Sequence, residues 1–284
     1  MEIIQSGSGG DQFTKFETAV EQMEGVEAIP AVAQRLLSLT SDPNAGLKDI
    51  ERLIASDASL TARVLRLAAS AFYGGHPAQS LKAAIVRQGL NEVRNLAVAS
   101  SMLARAPDPF HRNLWQFTLS SAAFSDVLAR RIGRQNFCEP FVCGLLHEIG
   151  TMVMAKVEGA PYYAIAGTVG TQSQAEREQK AYGFTHCDIG ALAVERWNLF
   201  AGLEEVVQFH HDPFSADSLD FPPPVLATIY LVALVSAVLA SPDEALGADL
   251  VRELMARLGA PEGLVSEELQ KARSRAGDYL GLLG

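Results

Sequence analysis

Apolar residues recur at helical spacing along almost the whole chain, and no stretch alternates apolar and polar residues as a half-buried strand would. The longest apolar run, Val225–Ala240, is interrupted only by Thr228 and Ser236 and follows three consecutive prolines. Its 16 residues are fewer than the roughly 20 that span a bilayer. This run predicts a buried core helix of a soluble protein, and the pattern as a whole predicts an all-α fold.

Two prolines within four residues, in Ala106–Pro109, mark the best internal boundary. The sequence therefore predicts an N-terminal helical bundle over residues 16–106, packed on a second helical bundle over residues 107–284. Residues 1–15 are rich in serine and glycine and are expected to form a disordered lead. They have neither the basic start nor the apolar stretch of a signal peptide.

The chain is acidic, with 23 Lys and Arg against 33 Asp and Glu, for a net charge of −10. Nucleic acids and anionic membranes are bound by clustered basic residues, so neither partner is expected. The segments on either side of Gly89 are spaced like a helix-turn-helix, but the second one offers little beyond Arg94 for phosphate contact. An ordinary helical hairpin is expected there instead.

The three cysteines are Cys138, Cys143 and Cys187, with no Cys-x-x-Cys pair among them. This usage argues against a disulfide framework and fits a reducing compartment, so a cytoplasmic protein is expected. It also provides too few ligands for a zinc site built on cysteines.

One short motif contains candidate residues for a metal site. His147 and Glu148 lie within Gly144–Gly150, on an apolar helix that is predicted to begin at Glu139. A histidine followed by a carboxylate is the centre of a metal-hydrolase arrangement, in which converging ligands acidify a bound water. Three later histidines complete the set of candidate site residues: His186, His210 and His211. Helical spacing directs His210 to the core and His211 toward the polar side of its helix.

The chain resembles the HDOD domain, the HD-related output domain of bacterial signalling proteins, from about Ile29 to His211. The matching pieces follow in the expected order: Ile29-Pro30-Ala31-Val32, Asp57-Ala58-Ser59-Leu60, the His147-Glu148 motif, Gly183-Phe184-Thr185-His186 and His210-His211. Three departures stand out. Ala58 replaces the usual proline, Ala69 the usual asparagine, and Glu148 the aspartate of the His-Asp pair.

The resemblance implies an HD-like helical fold and a role in signal output through protein–protein interaction. Related HD phosphohydrolases use an early histidine and a later aspartate as further metal ligands. The early position aligns with Phe117, and the Val225–Ala240 helix contains no Asp, Glu or His. A phenyl ring cannot coordinate a metal, and Glu148 is one methylene longer than the usual aspartate. We therefore predict a non-catalytic module with a degenerate metal site, no metal and no cofactor.

Two alternatives stay open for the five candidate residues. They form either a vestigial cluster joined by hydrogen bonds, with Glu148 as the expected partner of the histidines, or a site for a residual metal or small anion. The alternative function is a divergent metal-dependent phosphohydrolase, acting on phosphodiesters or phosphomonoesters. A nucleophile pair of Cys187 with His186 is not expected, because adjacent helical side chains point about 100° apart.

The expected partner is an unidentified signalling protein, and a homo-oligomer is a further option. Two segments with aromatic residues are candidate partner surfaces: Phe72–Pro77 and Gly159–Tyr163. Both are predicted to be loops. Buried packing is the alternative for each of their aromatic side chains.

Overall fold

The structure is a computed structural model, and it describes residues 8–23, 31–39, 46–69, 76, 78, 80–103, 108–133, 136–240, 248–261 and 263–280. The chain is 81% helical, and no strand lies within those ranges. The prediction of an all-α fold is confirmed.

Sixteen α-helices lie in the described residues: α1 Ser8–Gln22, α2 Ala31–Ser38, α3 Leu47–Ala55, α4 Ala58–Ala68, α5 Leu81–Gln88, α6 Leu90–Leu103, α7 Pro109–Ile132, α8 Pro140–Leu146, α9 Ile149–Glu158, α10 Ala160–Ala166, α11 Gln172–Tyr182, α12 His186–Arg196, α13 Leu203–Phe209, α14 Pro223–Ala240, α15 Ala248–Arg257 and α16 Leu264–Leu280. A 3-10 helix, Pro213–Ser218, lies between α13 and α14.

Helices α2 to α6 form the N-terminal bundle, and local signals set several of their ends. Asp57 accepts a hydrogen bond from the Leu60 N–H at the start of α4, and Ser80 accepts one from the Ala83 N–H at the start of α5. The apolar faces of these helices bury one core that continues into the second bundle through α7, α8 and α13. The predicted packing of one bundle on the other is confirmed.

Helix α7 is the central element of the second bundle and contacts α8, α14 and α16. Its start is fixed by Asp108, which accepts a hydrogen bond from the His111 N–H, and by Pro109 in the first turn. Helices α15 and α16 close this bundle against α14 and α7. Of the boundary that was predicted at Ala106–Pro109, the first two residues lie outside the described residues, and Pro109 begins α7.

Two stretches, Pro140–Glu158 and Pro223–Ala240, are long and apolar enough to cross a membrane by length and composition alone. Within the fold they are core helices, with 89% and 56% of the apolar window buried. The second stretch contains the run Val225–Ala240, which was predicted to be such a helix.

The prediction of a disordered lead over residues 1–15 is wrong from Ser8 onward, because Ser8–Gln22 form helix α1. Phe16 and Val20 on this helix are fully buried, and Phe16 packs edge to face against Phe184. The helix contacts α9, α11 and α12, so it packs on the second bundle rather than on the N-terminal one. The prediction failed because the first residues are rich in serine and glycine, and the apolar face of the helix begins only at Phe13.

Candidate functional site

His147 and Glu148 lie in a two-residue turn between α8 and α9, not within one helix as the sequence predicted. Both side chains are completely buried. The His147 ring nitrogen Nδ1 is 2.9 Å from the Gly144 carbonyl oxygen, which a continuing helix would offer to the Glu148 N–H. The histidine side chain therefore competes with the helical hydrogen bond at the point where α8 ends.

Two glycines let α9 and α12 approach closely enough to form the site. A β-carbon on Gly150 would lie 1.8 Å from the His186 carbonyl oxygen, and one on Gly190 would lie 2.6 Å from a methyl group of Val207. Any larger residue at Gly150 would push the two helices apart. This close crossing is what places His186 against Glu148.

The His147 ring has a partner at each of its nitrogens. Nδ1 donates to the Gly144 carbonyl, and Nε2 lies 3.1 Å from the Ser236 hydroxyl on α14. The centroids of the His147 and Phe117 rings are 5.7 Å apart. Burial, reinforced by the neighbouring His210, lowers the pKa of His147 to about 3, so the ring is neutral. Phe117 and the α14 helix thus lie where the sequence placed the two missing ligands.

His186 and His210 face each other across the site. Nδ1 of His186 is 2.7 Å from Glu178 Oε2, and Nδ1 of His210 is 2.8 Å from the Val207 carbonyl oxygen. The two Nε2 atoms are 3.3 Å apart. They lie 3.6 Å and 3.8 Å from the two carboxylate oxygens of Glu148.

The carboxylate of Glu148 and the ring of His211 complete this arrangement. Glu148 Oε2 accepts a hydrogen bond of 2.5 Å from the Thr151 hydroxyl, whereas Oε1 has no hydrogen-bond partner among the described residues. His211 Nε2 is buried and also lacks one. One ligand atom from each of Glu148, His186, His210 and His211 lies within 4.8 Å of the other three. We call these four residues the histidine cluster.

His211 was predicted to lean toward the polar side of its helix, and this was wrong. Helix α13 ends at Phe209, so His210 and His211 lie in the turn that follows and both rings turn inward. Their ring centroids are 4.3 Å apart. Glu148, the expected hydrogen-bond partner of the histidines, lies 3.6 Å and 3.8 Å from two of them and accepts a hydrogen bond from Thr151.

Electrostatic attraction outweighs burial at the ionised groups of the site, including His210, whose pKa is lowered by burial but raised to about 9 by Cys187 and Glu148. Burial raises the pKa of Glu148, but His186 and the other histidines lower it well below its usual value. Burial lowers the pKa of His186, but Glu178 and Glu148 raise it well above its usual value. The carboxylates are therefore anionic in the folded protein, and a positive charge is favoured between them.

Several residues that hold the site in place were not found from the sequence. Glu178 accepts hydrogen bonds from the Tyr162 hydroxyl, at 2.6 Å, and from the Gln174 side chain, at 3.0 Å. Gln174 also donates to the Thr151 hydroxyl at 2.9 Å. Gln174 and Glu178 are fully buried on α11, the most polar helix-forming stretch of this bundle. Its composition is typical of a solvated helix, and only the i, i+4 spacing of the two polar residues hinted at their pairing.

Cys187 lies closer to the histidines than the sequence predicted. Its sulfur is 3.8 Å from His186 Nε2 and 3.8 Å from His210 Nδ1. The expectation that the two adjacent side chains do not face each other was wrong, because both of them turn toward His210. Burial raises the pKa of the Cys187 thiol, but His210 and His186 outweigh burial and lower it to about 6.

Of the two predicted partner surfaces, the structure describes one completely and the other only at a single residue. Gly159–Tyr163 is not an exposed loop, because α10 begins at Ala160 and Tyr162 is fully buried. Tyr163 stacks on Phe110, with ring centroids 4.3 Å apart. Of the segment Phe72–Pro77, all residues except His76 lie outside the described residues.

Comparison with known proteins places this geometry in a family. An uncharacterized protein of Treponema pallidum (strain Nichols) is 27% identical over 215 residues, which cover 71% of this chain and 40% of that protein. The chain therefore spans well under half the length of this relative.

Solved structures share the fold along nearly the whole chain. An HDOD domain protein of unknown function from Geobacter sulfurreducens is 23% identical, with a TM-score of 0.71 over 94% of this chain and 97% of that one. A candidate phosphohydrolase from Shewanella amazonensis SB2B is also 23% identical, with a TM-score of 0.67 over 94% and 98%. A candidate signal transduction protein from Marinobacter aquaeolei VT8 is 22% identical, with a TM-score of 0.69 over 99% and 67%.

These likenesses establish the fold, since all three identities are below one quarter. The family itself rests on a separate match, between the HDOD domain model and residues 26–213. That match covers about two thirds of the chain and contains every residue of the histidine cluster. The chain belongs to the HDOD domain family.

Proposed function

We propose that this chain is a non-catalytic module of bacterial signal transduction, which acts in the cytoplasm by binding another protein. The proposal rests on the family and on the state of the degenerate HD site. The acidic charge of −10 supports a protein partner over a nucleic acid or an anionic membrane.

The proposal rests mainly on one observation, which is that both ring nitrogens of His147 already have hydrogen-bond partners. In a metal hydrolase this histidine needs a free nitrogen lone pair for the ion that activates water. Here Nδ1 donates to Gly144 and Nε2 lies within hydrogen-bond distance of Ser236. The phenyl ring of Phe117 lies on another side of the same imidazole. Converting this arrangement to a hydrolytic centre requires new ligands on both α7 and α14.

A divergent metal-dependent phosphohydrolase is the second candidate, and one observation favours it. The histidine cluster brings three imidazoles and a carboxylate together in the bundle interior, and such donors bind transition metals. In that case Glu148 and the histidines would hold an ion, and hydrolysis would depend on the turn that also contains His147.

Turnover assays on the metal-loaded full chain separate the two functions. Zinc-, manganese- and magnesium-loaded protein is tested against phosphodiester, phosphomonoester and nucleotide substrates, beside a His147→Gln variant. The proposal expects no turnover above the level of the variant with any metal. Hydrolysis that is lost in His147→Gln would overturn it and establish the phosphohydrolase.

The interaction itself is tested by crosslinking in living cells of the source bacterium, followed by mass spectrometry of the captured proteins. The proposal expects a signalling protein that is captured equally by wild type and by His147→Gln, because binding does not require the old catalytic residue. Capture that depends on His147 would contradict the proposal.

A further inference from the structure

We propose that Glu148, His186, His210 and His211 bind one divalent transition-metal ion, with zinc as the best-matched metal. The site would be a closed one that stabilises the fold or tunes the module, rather than a centre for hydrolysis. This inference goes beyond the proposed function and does not depend on it.

The spacing of the donor atoms fits tetrahedral coordination. Metal–ligand distances of about 2.0–2.1 Å for zinc place tetrahedral ligands about 3.3 Å apart. The measured separations are 3.3 Å between His186 Nε2 and His210 Nε2, 3.6 Å from His186 Nε2 to Glu148, and 3.8 Å from His210 Nε2 to Glu148. The fourth donor, on His211, lies within 4.8 Å of the others. Small side-chain movements bring all four to bonding distance.

Two buried polar atoms of the same residues point independently to a ligand. Glu148 Oε1 and His211 Nε2 have no hydrogen-bond partner among the described residues, although Glu148 is completely buried. A buried carboxylate oxygen without a partner costs free energy unless something compensates its charge. A cation at the centre of the histidine cluster would satisfy both atoms at once.

The surrounding groups already orient the rings for metal binding. Nδ1 of His186 is held by the Glu178 carboxylate and Nδ1 of His210 by the Val207 carbonyl. When Nδ1 donates its proton in this way, the neutral ring presents a lone pair at Nε2. With both rings neutral, the two lone pairs face each other at 3.3 Å, and either a shared proton or a metal cation between them removes the repulsion.

The negative charge of the surrounding carboxylates also favours the binding of a divalent cation. Glu148 and Glu178 bring two negative charges into a region from which water is excluded, since Glu148 and Glu178 are both buried. No lysine or arginine is paired with either carboxylate among the described ion pairs. One divalent ion would balance both charges.

The donor set selects the class of metal. Three imidazoles and one carboxylate suit zinc and its neighbours in the transition series, whereas magnesium and calcium prefer shells of oxygen atoms. Four protein ligands complete a tetrahedral shell and leave no open position for an attacking water. His147 is not part of the shell, because its Nε2 is 4.0 Å from Glu148 and 3.1 Å from the Ser236 hydroxyl.

Metal titration of the full chain tests the site. The protein is purified without a metal-affinity tag, stripped with chelator and titrated with Co²⁺, which reports coordination by its visible spectrum, and with Zn²⁺. We expect one ion per chain, a four-coordinate cobalt spectrum, displacement of cobalt by zinc, and no displacement by excess Mg²⁺. X-ray absorption of the zinc form should show four nitrogen or oxygen ligands at about 2.0–2.1 Å.

Variants identify the ligands. Glu148→Gln and His210→Gln should abolish the four-coordinate cobalt spectrum, and Glu178→Gln, which acts through His186, should weaken binding about 10- to 100-fold. His147→Gln and His76→Gln are the matched histidine controls and should bind like wild type. Far-UV circular dichroism of each variant shows whether it retains the helical fold.

Several results would overturn the site: no bound ion in wild type, six-coordinate X-ray absorption, a cobalt–sulfur charge-transfer band from Cys187, or loss of binding in His147→Gln. Should a ligand variant unfold, the wild-type absorption spectrum alone still decides between the four-ligand shell and its absence. Hydrolysis by a loaded protein would refute the proposed function but not the site. A metal-free, inactive protein would refute the site but not the function.

Discussion

Two regions of this molecule contain buried carboxylates, and they differ in the groups that neutralise the negative charge. The ion-pair network, formed by Glu92, Asp126, Arg130 and Arg275, joins α6, α7 and α16. Arg275 contacts both carboxylates, at 2.5 Å for Asp126, and Arg130 contacts the same pair from the partly exposed side. Two arginines balance two carboxylates, so this network neutralises itself with protein charges alone.

The histidine cluster has no permanent positive charge among its four residues. Its carboxylate, Glu148, and the adjoining Glu178 meet imidazoles instead of guanidinium groups, and Glu148 Oε1 has no hydrogen-bond partner among the described residues. Imidazoles change charge by gaining protons or by binding metals, which arginine cannot do. A buried network that arginines neutralise holds helices together, whereas one built on imidazoles is suited to a ligand.

The largest effect is expected in the ion-pair network. Arg275→Met should lower the free energy of unfolding by about 3–5 kcal/mol, because it leaves two buried carboxylates short of a positive charge. Guanidinium denaturation measures the change. The matched control is Arg252→Met, which removes an exposed pair with Asp249 and should cost at most about 1 kcal/mol. Equal effects of the two variants would show that burial does not set the value of these pairs.

The next effect concerns the close helix crossing beneath the histidine cluster. Gly150→Ala should cost about 3 kcal/mol, because the new β-carbon would meet the His186 carbonyl oxygen and the backbone must move. Gly277→Ala on α16 is the control, since no atom lies within 4 Å of its β-carbon position. That change should stabilise the protein by about 0.5–1 kcal/mol. Thermal denaturation of both variants tests the crossing, and a neutral Gly150→Ala would contradict it.

A smaller effect is expected from the hydroxyl that supports Glu178. Tyr162→Phe should cost about 2 kcal/mol, because it removes a hydrogen bond of 2.6 Å to a buried carboxylate. Tyr163→Phe removes a bond of 3.0 Å to the partly exposed Asp108 and should cost less than about 1 kcal/mol. Urea denaturation of the pair compares buried and exposed hydroxyls one residue apart. A larger loss in Tyr163→Phe would reverse the ranking.

The smallest effect is a pH dependence that arises from His147. Its pKa is about 3 in the folded chain, against an ordinary value of 6.5. Between these values the unfolded chain binds a proton that the folded chain does not, so stability falls as the pH falls. Between pH 7.5 and 5.5, metal-free wild type should lose about 1.4 kcal/mol more than His147→Gln. Identical slopes in the two proteins would mean that the imidazole is not held neutral.

The sequence was sufficient for the class of fold, and the structure brings the five candidate residues close together. The long apolar run predicted helix α14, because the apolar character of a helix depends only on nearby residues. The motif around His147 and the later histidines came from short, ordered matches. Phe117, which the resemblance aligns with the early histidine of the HD phosphohydrolases, lies beside His147.

The features that could not be predicted from the sequence depend on contacts between residues that are far apart along the chain. Glu178 lies in a helix that reads as solvated, and its burial follows from Tyr162 and His186 packing over it. Arg275 meets Glu92 across more than 180 positions. The inward turn of His211 follows from the end of α13 at Phe209, and helix ends are the least regular part of any spacing pattern.

The most direct test of the account is anomalous X-ray diffraction from crystals of the zinc-loaded chain. We expect one anomalous peak bonded to Glu148, His186, His210 and His211, with His147 still paired with Gly144 and Ser236. A peak bonded to His147, with a water on the metal in an open position, would contradict it and restore the hydrolytic centre.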